Sequence, residues 1–165
     1  ENNEISNTII YTKYNELNKS SEMVGKASLY LKAINTIDGS DVRVSKRANV
    51  PYNRLRGFEK GKVGPVDGSD YIGGNYISTL NLSTNLPGIL SNIEILDFNY
   101  FIDIANVWGV DYNSSLDKSK IRSSTGIGLN VLTPVGPLSF SLAQPITKAS
   151  SDKTETFRFN LGTTF

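Results

Sequence analysis

The fold is decided at the end of the chain, in Thr156-Phe157-Arg158-Phe159-Asn160-Leu161-Gly162-Thr163-Thr164-Phe165. The odd positions hold Phe157, Phe159, Leu161, Thr163 and Phe165. The even positions hold Arg158, Asn160, Gly162 and Thr164. One face of an extended segment is therefore apolar and the other polar or small, the period-two signature of a strand. A strand that runs to the last residue is uncommon in soluble domains, whose chain ends fray.

The same alternation recurs upstream. Leu138, Phe140, Leu142 and Ile146 alternate with Ser139, Ser141 and Ala143. Ile121, Ile127, Leu129 and Val131 share a face with Ser123 and Thr125, opposite Arg122, Ser124, Gly126, Gly128 and Asn130. Leu96, Phe98, Tyr100, Ile102, Ile104 and Trp108 oppose Asp97, Asn99, Asp103 and Ala105. Tyr76, Leu80, Leu82 and Leu86 oppose Thr79, Asn81, Ser83 and Asn85. Further strands are expected near 5–14, 23–36 and 42–52. This makes about eight strands joined as hairpins. Residues 15–22, 54–73, 109–120 and 147–153 are expected as loops on one side, and 37–41, 87–93 and 133–137 as shorter Gly-, Pro- and Asp-rich turns on the other.

An antiparallel up-and-down transmembrane β-barrel has this layout of long loops at one end and short turns at the other. The competing fold is a soluble sandwich or barrel, which also alternates. Three features oppose it. The expected strands are long for a soluble protein. The apolar faces are nearly free of charge, with Tyr76, Trp108, Phe157 and Phe165 towards their ends, as an interfacial girdle requires. The opposite face carries Arg, Asp, Asn, Ser and Gly, which suit a wet lumen better than a dry core.

Composition bounds the function. The chain has 165 residues, with 17 Lys plus Arg against 16 Asp plus Glu. That balance argues against nucleic acid as the main partner. Cys and His are both absent, which excludes disulfides, thiolate metal sites and His-based triads. An enzyme stays open on composition, but without the commonest metal ligand and general base. No apolar run is long enough for a transmembrane helix. The mean hydropathy of −0.24 suits a barrel and a soluble β-protein equally. The chain opens Glu1-Asn2-Asn3 without a leader, so its start is read as a cut edge.

Arg54-Leu55-Arg56-Gly57-Phe58 lies in the longest connection, which also carries Gly61, Gly64, Pro65, Gly68, Gly73 and Gly74. Such loops tend to be functional or disordered. Two readings stand side by side: a flexible external loop, or a loop folded inward that sets a cation against lumenal carboxylates. Asp103 lies mid-strand on the polar face. It is either a solvated lumenal acid or the ion-pair partner of Arg56, whose guanidinium suits paired N–H donation. Thr133-Pro134-Val135-Gly136-Pro137 reads as a structural tight turn. Asp67 and Asp70 match no ordered Ca²⁺ loop.

From about Lys46 to Phe165 the chain resembles the BamA family of outer-membrane protein assembly factors, within the bacterial surface antigens of Gram-negative bacteria. The resemblance rests on Arg54-Leu55-Arg56-Gly57-Phe58 with Gly64-Pro65, on Gly73-Gly74-Asn75, and on Asp103 to Trp108. It continues through Ile121 to Leu129, Thr133 to Leu138, Ala143-Gln144-Pro145 and Phe157 to Phe165. It implies strands nine to sixteen of a sixteen-stranded barrel, with residues 1–165 as the C-terminal part of one barrel domain. Periplasmic POTRA domains and the first strands would lie outside the chain. It implies folding and insertion of other barrel proteins at a lateral seam beside the last strand, in the outer membrane, with no enzymatic activity, cofactor or metal. The implied partners are lipids, unfolded clients and assembly-complex lipoproteins. Arg56, Gly57 and Phe58 would form the tip of a loop in the lumen, and Asp103 the acidic partner. A second acidic partner of the family falls at Ser83, so a two-carboxylate clamp is in doubt. Phe157, Phe159, Leu161, Gly162 and Phe165 would form the terminal assembly signal and gate strand. The alternatives are a secretion or translocation pore of the same superfamily, or a simple porin or adhesin barrel.

Overall fold

The computed structural model describes residues 3–87, 89, 93, 95–117, 119–134 and 136–162. Seven strands form one antiparallel sheet in chain order: β1 (Glu4–Asn18), β2 (Met23–Thr36), β5 (Tyr76–Asn85), β6 (Leu96–Trp108), β7 (Arg122–Thr133), β8 (Gly136–Thr147) and β9 (Phe157–Leu161). A two-stranded ribbon, β3 (Val66–Asp67) with β4 (Asp70–Tyr71), lies in the connection between β2 and β5. Each sheet strand pairs with its neighbour in sequence, which is up-and-down topology.

The sheet's two faces follow the alternation. On β6, Asn99, Phe101, Asp103, Ala105 and Val107 are buried on the inner side. Tyr100 opens outward, as do Ile127, Leu142, Phe157, Phe159 and Leu161 from β7, β8 and β9. An outer surface of large apolar side chains with a polar inner surface inverts a soluble sheet, and lipid outside accounts for both. Tyr76 and Trp108 stack at one end of this outer surface, with ring centres 5.8 Å apart.

The expected strand at 42–52 does not form. Val44–Lys46 and Tyr52–Arg54 are 3₁₀ turns, and between them Ala48 makes one isolated bridge to Gly74. The reason is edge availability. β2 pairs directly with β5, Ala33 standing opposite Tyr76, so residues 42–52 have no free edge to join. Pro51 also removes a ladder donor. Residues 37–75 thus become one long connection. The loss of one strand changes the side assignments: the turn at 19–22 falls with the short turns, and 37–41 belongs with the long loops. The connections at 109–121 and 148–156 lie with 37–75, as expected.

The apolar core sits between this long connection and the inner wall. Val42, Ala48, Leu55, Phe58 and Val63 from the connection pack with Ile34, Ile77, Ala105 and Val107 from the strands. The upper part of the inner face is therefore filled by protein rather than water. Beneath it remains a concave space of about 630 Å³, lined among others by Lys26, Ser28, Arg54, Asn81, Asn99 and Asn130.

Candidate functional site

The inward loop meets the wall at Arg56. Its Nε donates to Asp103 Oδ2 at 2.7 Å and its Nη2 to Oδ1 at 2.8 Å. The Arg56 backbone N–H also donates to Oδ2, at 3.0 Å. Arg56 is 4% exposed and Asp103 0%, so this is a buried ion pair with paired N–H donation. A buried pair recovers its desolvation cost only if its remaining valences are met. They are met here: Asn81 Nδ2 donates to Asp103 Oδ1 at 2.8 Å, and Ser124 Oγ donates to the Arg56 carbonyl. The guanidinium lies over Phe101, 3.3 Å from the ring centre, a cation–π arrangement.

Local sequence makes the approach possible. Gly57 has φ +88°, a conformation that L side chains rarely adopt. An added Cβ there would stand 3.2 Å from Ser124 Cβ and 3.3 Å from Ala143 Cβ. Gly126 leaves room for the Phe101 ring, since a Cβ there would lie 2.8 Å from Phe101 Cζ and 2.0 Å from the Leu142 carbonyl oxygen. Phe58, 1% exposed, anchors the next position in the apolar core.

The structure brings Arg56 and Asp103 into contact, with Gly57 and Phe58 following on the same inward loop. Ser83 is one inward position away from the clamp, opposite Phe101. Asn81 fills the place beside Asp103, so an amide supplies the third side-chain donor. Its signal was the register: Asn81 stands directly across β5–β6 from Asp103. Phe157, Phe159 and Leu161 point outward on β9, and Gly162, at φ +82°, follows the strand. Phe165 lies outside the described residues.

Three further arginines were not singled out from the sequence. Arg122 Nε and Nη2 donate to Asp152 at 2.9 and 3.2 Å. Asp152 also accepts from the backbone of Gly64 and Ala149, joining the long connection to the β8–β9 loop. Arg158 crosses from β9 to the carbonyls of Tyr52, Leu55 and Phe58. At the outer end, Arg47 pairs with Asp111, which also accepts from Val42 N at 2.7 Å and Asn75 Nδ2 at 2.9 Å. Partial burial pushes the Asp111 carboxyl up, but those donors and the Arg47 charge outweigh it and leave it below its ordinary value. The available signal for Arg122 and Arg158 was a cation on the polar parity of a strand whose other face is apolar.

A transmembrane barrel wall with an inward loop clamped to it by a buried Arg–Asp pair defines the class of protein. Residues 2–165 match the family model described as the Omp85 superfamily domain, and the chain belongs to that superfamily. It is similar to the "Outer membrane protein assembly factor BamA" of Neorickettsia risticii (strain Illinois), with 28% identity over 142 residues, covering 84% of this chain and 19% of that protein. The protein of the same name from Neisseria meningitidis serogroup B is 32% identical over 142 residues, covering 67% of this chain and 17% of that protein. Among solved structures, BamA from Haemophilus ducreyi lacking POTRA domains 1–3 superposes with a TM-score of 0.85 at 27% identity, covering 96% of this chain and 34% of that one. The chain thus spans under a fifth of these relatives' length and about a third of the solved chain. It is a segment of a bacterial outer-membrane barrel.

Proposed function

We propose that this chain is the seam-bearing part of a barrel that folds and inserts other β-barrel proteins into the bacterial outer membrane. The observation that carries the proposal is the buried Arg56–Asp103 clamp. It holds an over-long loop against the inner wall, beside β9 at the edge of the sheet. An edge strand offers unpaired backbone N–H and C=O groups, and an incoming client strand satisfies them by β-augmentation. The work comes from strand pairing and burial of the client's apolar face in lipid, so the role is non-enzymatic and uses no cofactor. The partners in this reading are lipids of the outer membrane, unfolded barrel clients and lipoprotein subunits of an assembly complex.

The name of the relatives, outer membrane protein assembly factor, supports the same reading. The test replaces the native copy of the full-length protein in cells with Arg56→Ala. Folded outer-membrane proteins are then counted by their heat-dependent gel mobility. Loss across many unrelated clients is expected. Loss of one exported protein, together with ion conductance of the purified barrel, would favour a secretion pore. Normal levels of every client would refute the proposal.

A further inference from the structure

The Arg56–Asp103 clamp holds the loop to the wall at β6. A second anchor runs in the opposite direction, from wall to loop, and it starts on the edge strand. Arg158 lies on the inner face of β9 and is 2% exposed. Its Nη2 donates to the Phe58 carbonyl at 2.5 Å. Its Nη1 reaches the carbonyls of Tyr52 and, at 3.4 Å, Leu55. Its Nε donates to Glu155 Oε1 at 2.6 Å, and the guanidinium lies 3.6 Å from the centre of the Tyr52 ring. The planar fork of arginine thus spans the backbone on both sides of Arg56.

The backbone reinforces this anchor. Phe58 and Thr154 form an antiparallel bridge. Glu155 N donates to the Gly57 carbonyl at 3.1 Å, Glu59 N to the Lys153 carbonyl at 3.0 Å, and Lys153 N to the Lys62 carbonyl at 3.0 Å. Residues 57–62 therefore run as a short ladder beside 153–155, the segment that leads into β9. Among the described residues β9 pairs with β8 from Phe157 to Leu161, and Ala143 N to the Thr156 carbonyl and Gly162 N to the Pro137 carbonyl, each at 2.8 Å, flank that ladder. The loop therefore holds β9 from its inner side, beside the ladder that β8 supplies.

We infer that Arg158 is a positioning residue through which the inward loop sets the geometry of the edge strand, making the clamp at Asp103 and the strand at the seam one mechanical unit. The inference deepens the seam reading above and rests on it for its consequence: the seam loosens when the loop is released from Asp103. Arg158 does not touch a client; it acts through the loop backbone. Lysine does not replace it, because a single ammonium cannot span carbonyls on both sides of the tip.

The test is site-resolved amide exchange on the full-length protein in lipid nanodiscs, a readout independent of client assembly. Exchange follows local opening rather than global unfolding where segments differ in stability. Arg158→Ala is expected to speed exchange at the β9 amides and their β8 partners Leu138–Leu142 by at least about tenfold, with β5–β6 amides unchanged. Arg158→Lys is expected to recover only part of that protection. Asp103→Asn, which touches no residue of β9, is expected to speed the same β9 amides by freeing the loop. Unchanged β9 exchange in Arg158→Ala would overturn the inference, as would an equal rise in every strand. A silent β9 in Asp103→Asn, with the loop amides exposed, would overturn the coupling. If β9 responds as expected while client assembly stays normal, the coupling stands and the proposed function fails.

Discussion

Asn81 and Asp103 face each other across the β5–β6 ladder, and the Asn81 side-chain amide donates to the Asp103 carboxylate at 2.8 Å. A second Asn81 hydrogen bond, also 2.8 Å, goes to the Arg54 carbonyl. One amide therefore joins the acidic end of the clamp to the loop that carries its basic end. It completes a carboxylate that would otherwise hold an unmet lone pair in a buried site.

Breaking this arrangement from either side is expected to be costly. Arg56→Ala leaves Asp103 buried without its cation, which costs about 3–5 kcal/mol. Asn81→Leu leaves the pair intact but removes one donor from Asp103 and one from the Arg54 carbonyl, for a loss of about 1–3 kcal/mol. Denaturant unfolding of the full-length protein in detergent ranks the two variants. The reciprocal exchange, Arg56→Asp with Asp103→Arg, is expected to rescue only part of the loss, because the backbone N–H of residue 56 loses its carboxylate acceptor. No gain of the double variant over either single one would refute the contact.

Gly57→Ala is expected to destabilise the docked loop by about 1–3 kcal/mol, from the left-handed backbone and the crowded Cβ position together. Protease cleavage within residues 59–62 is the measurement, since an undocked loop is cut faster. Gly61→Ala makes the control: Gly61 also has positive φ, but an added Cβ there meets nothing within 4 Å. Equal cleavage of the two variants would show that steric approach to Ser124 and Ala143 plays no part.

The outer anchor is expected to weaken in acid. The folded carboxyl of Asp111 is held below its ordinary value. Its stabilisation is therefore fully present above the unfolded value near 3.8 and fades as pH falls through the lower folded one. Asp38 behaves alike: Ser40 hydroxyl and backbone N–H, with Asn3, hold it at about 2. Exchange of the Val42 amide, corrected for its intrinsic pH dependence, is expected to rise below pH ~4. Asp111→Asn is expected to remove that rise. A Val42 amide indifferent to pH would sink the assignment.

Ile127 is 45% exposed on the outer face of β7. In water, a charge at such a site is tolerated. In lipid, Ile127→Arg is expected to cost about 2–4 kcal/mol if the site lies near the bilayer midplane. Asn130→Arg on the inner face is expected to cost much less. Folding yields of the full-length protein into lipid vesicles separate the two cases, and equal yields would argue against lipid on the outer side.

What the sequence determined by itself is which side chains share a face. Leu96 to Trp108 and Phe157 to Leu161 alternate because a strand places neighbours on opposite sides whatever it pairs with. The parity that set Ile102 and Ile104 outward therefore set Asp103 inward. The loop tip was not legible locally: Arg56, Gly57 and Phe58 suited a flexible external loop as well as an inward one, and only the family resemblance implied the inward one. Tertiary structure alone decided the rest. Residues 42–52 alternate well enough for a strand, yet β5 occupies the only edge of β2 they could have joined. That competition for an edge reassigned the sides of two turns. Arg158 lies about a hundred positions from the carbonyls it binds, and Asn81 rather than Ser83 meets Asp103 because a ladder register chose it. Periodicity is a property of neighbours in the chain, whereas pairing partners are chosen by long-range contacts that must first overcome the entropy of closing the chain between them.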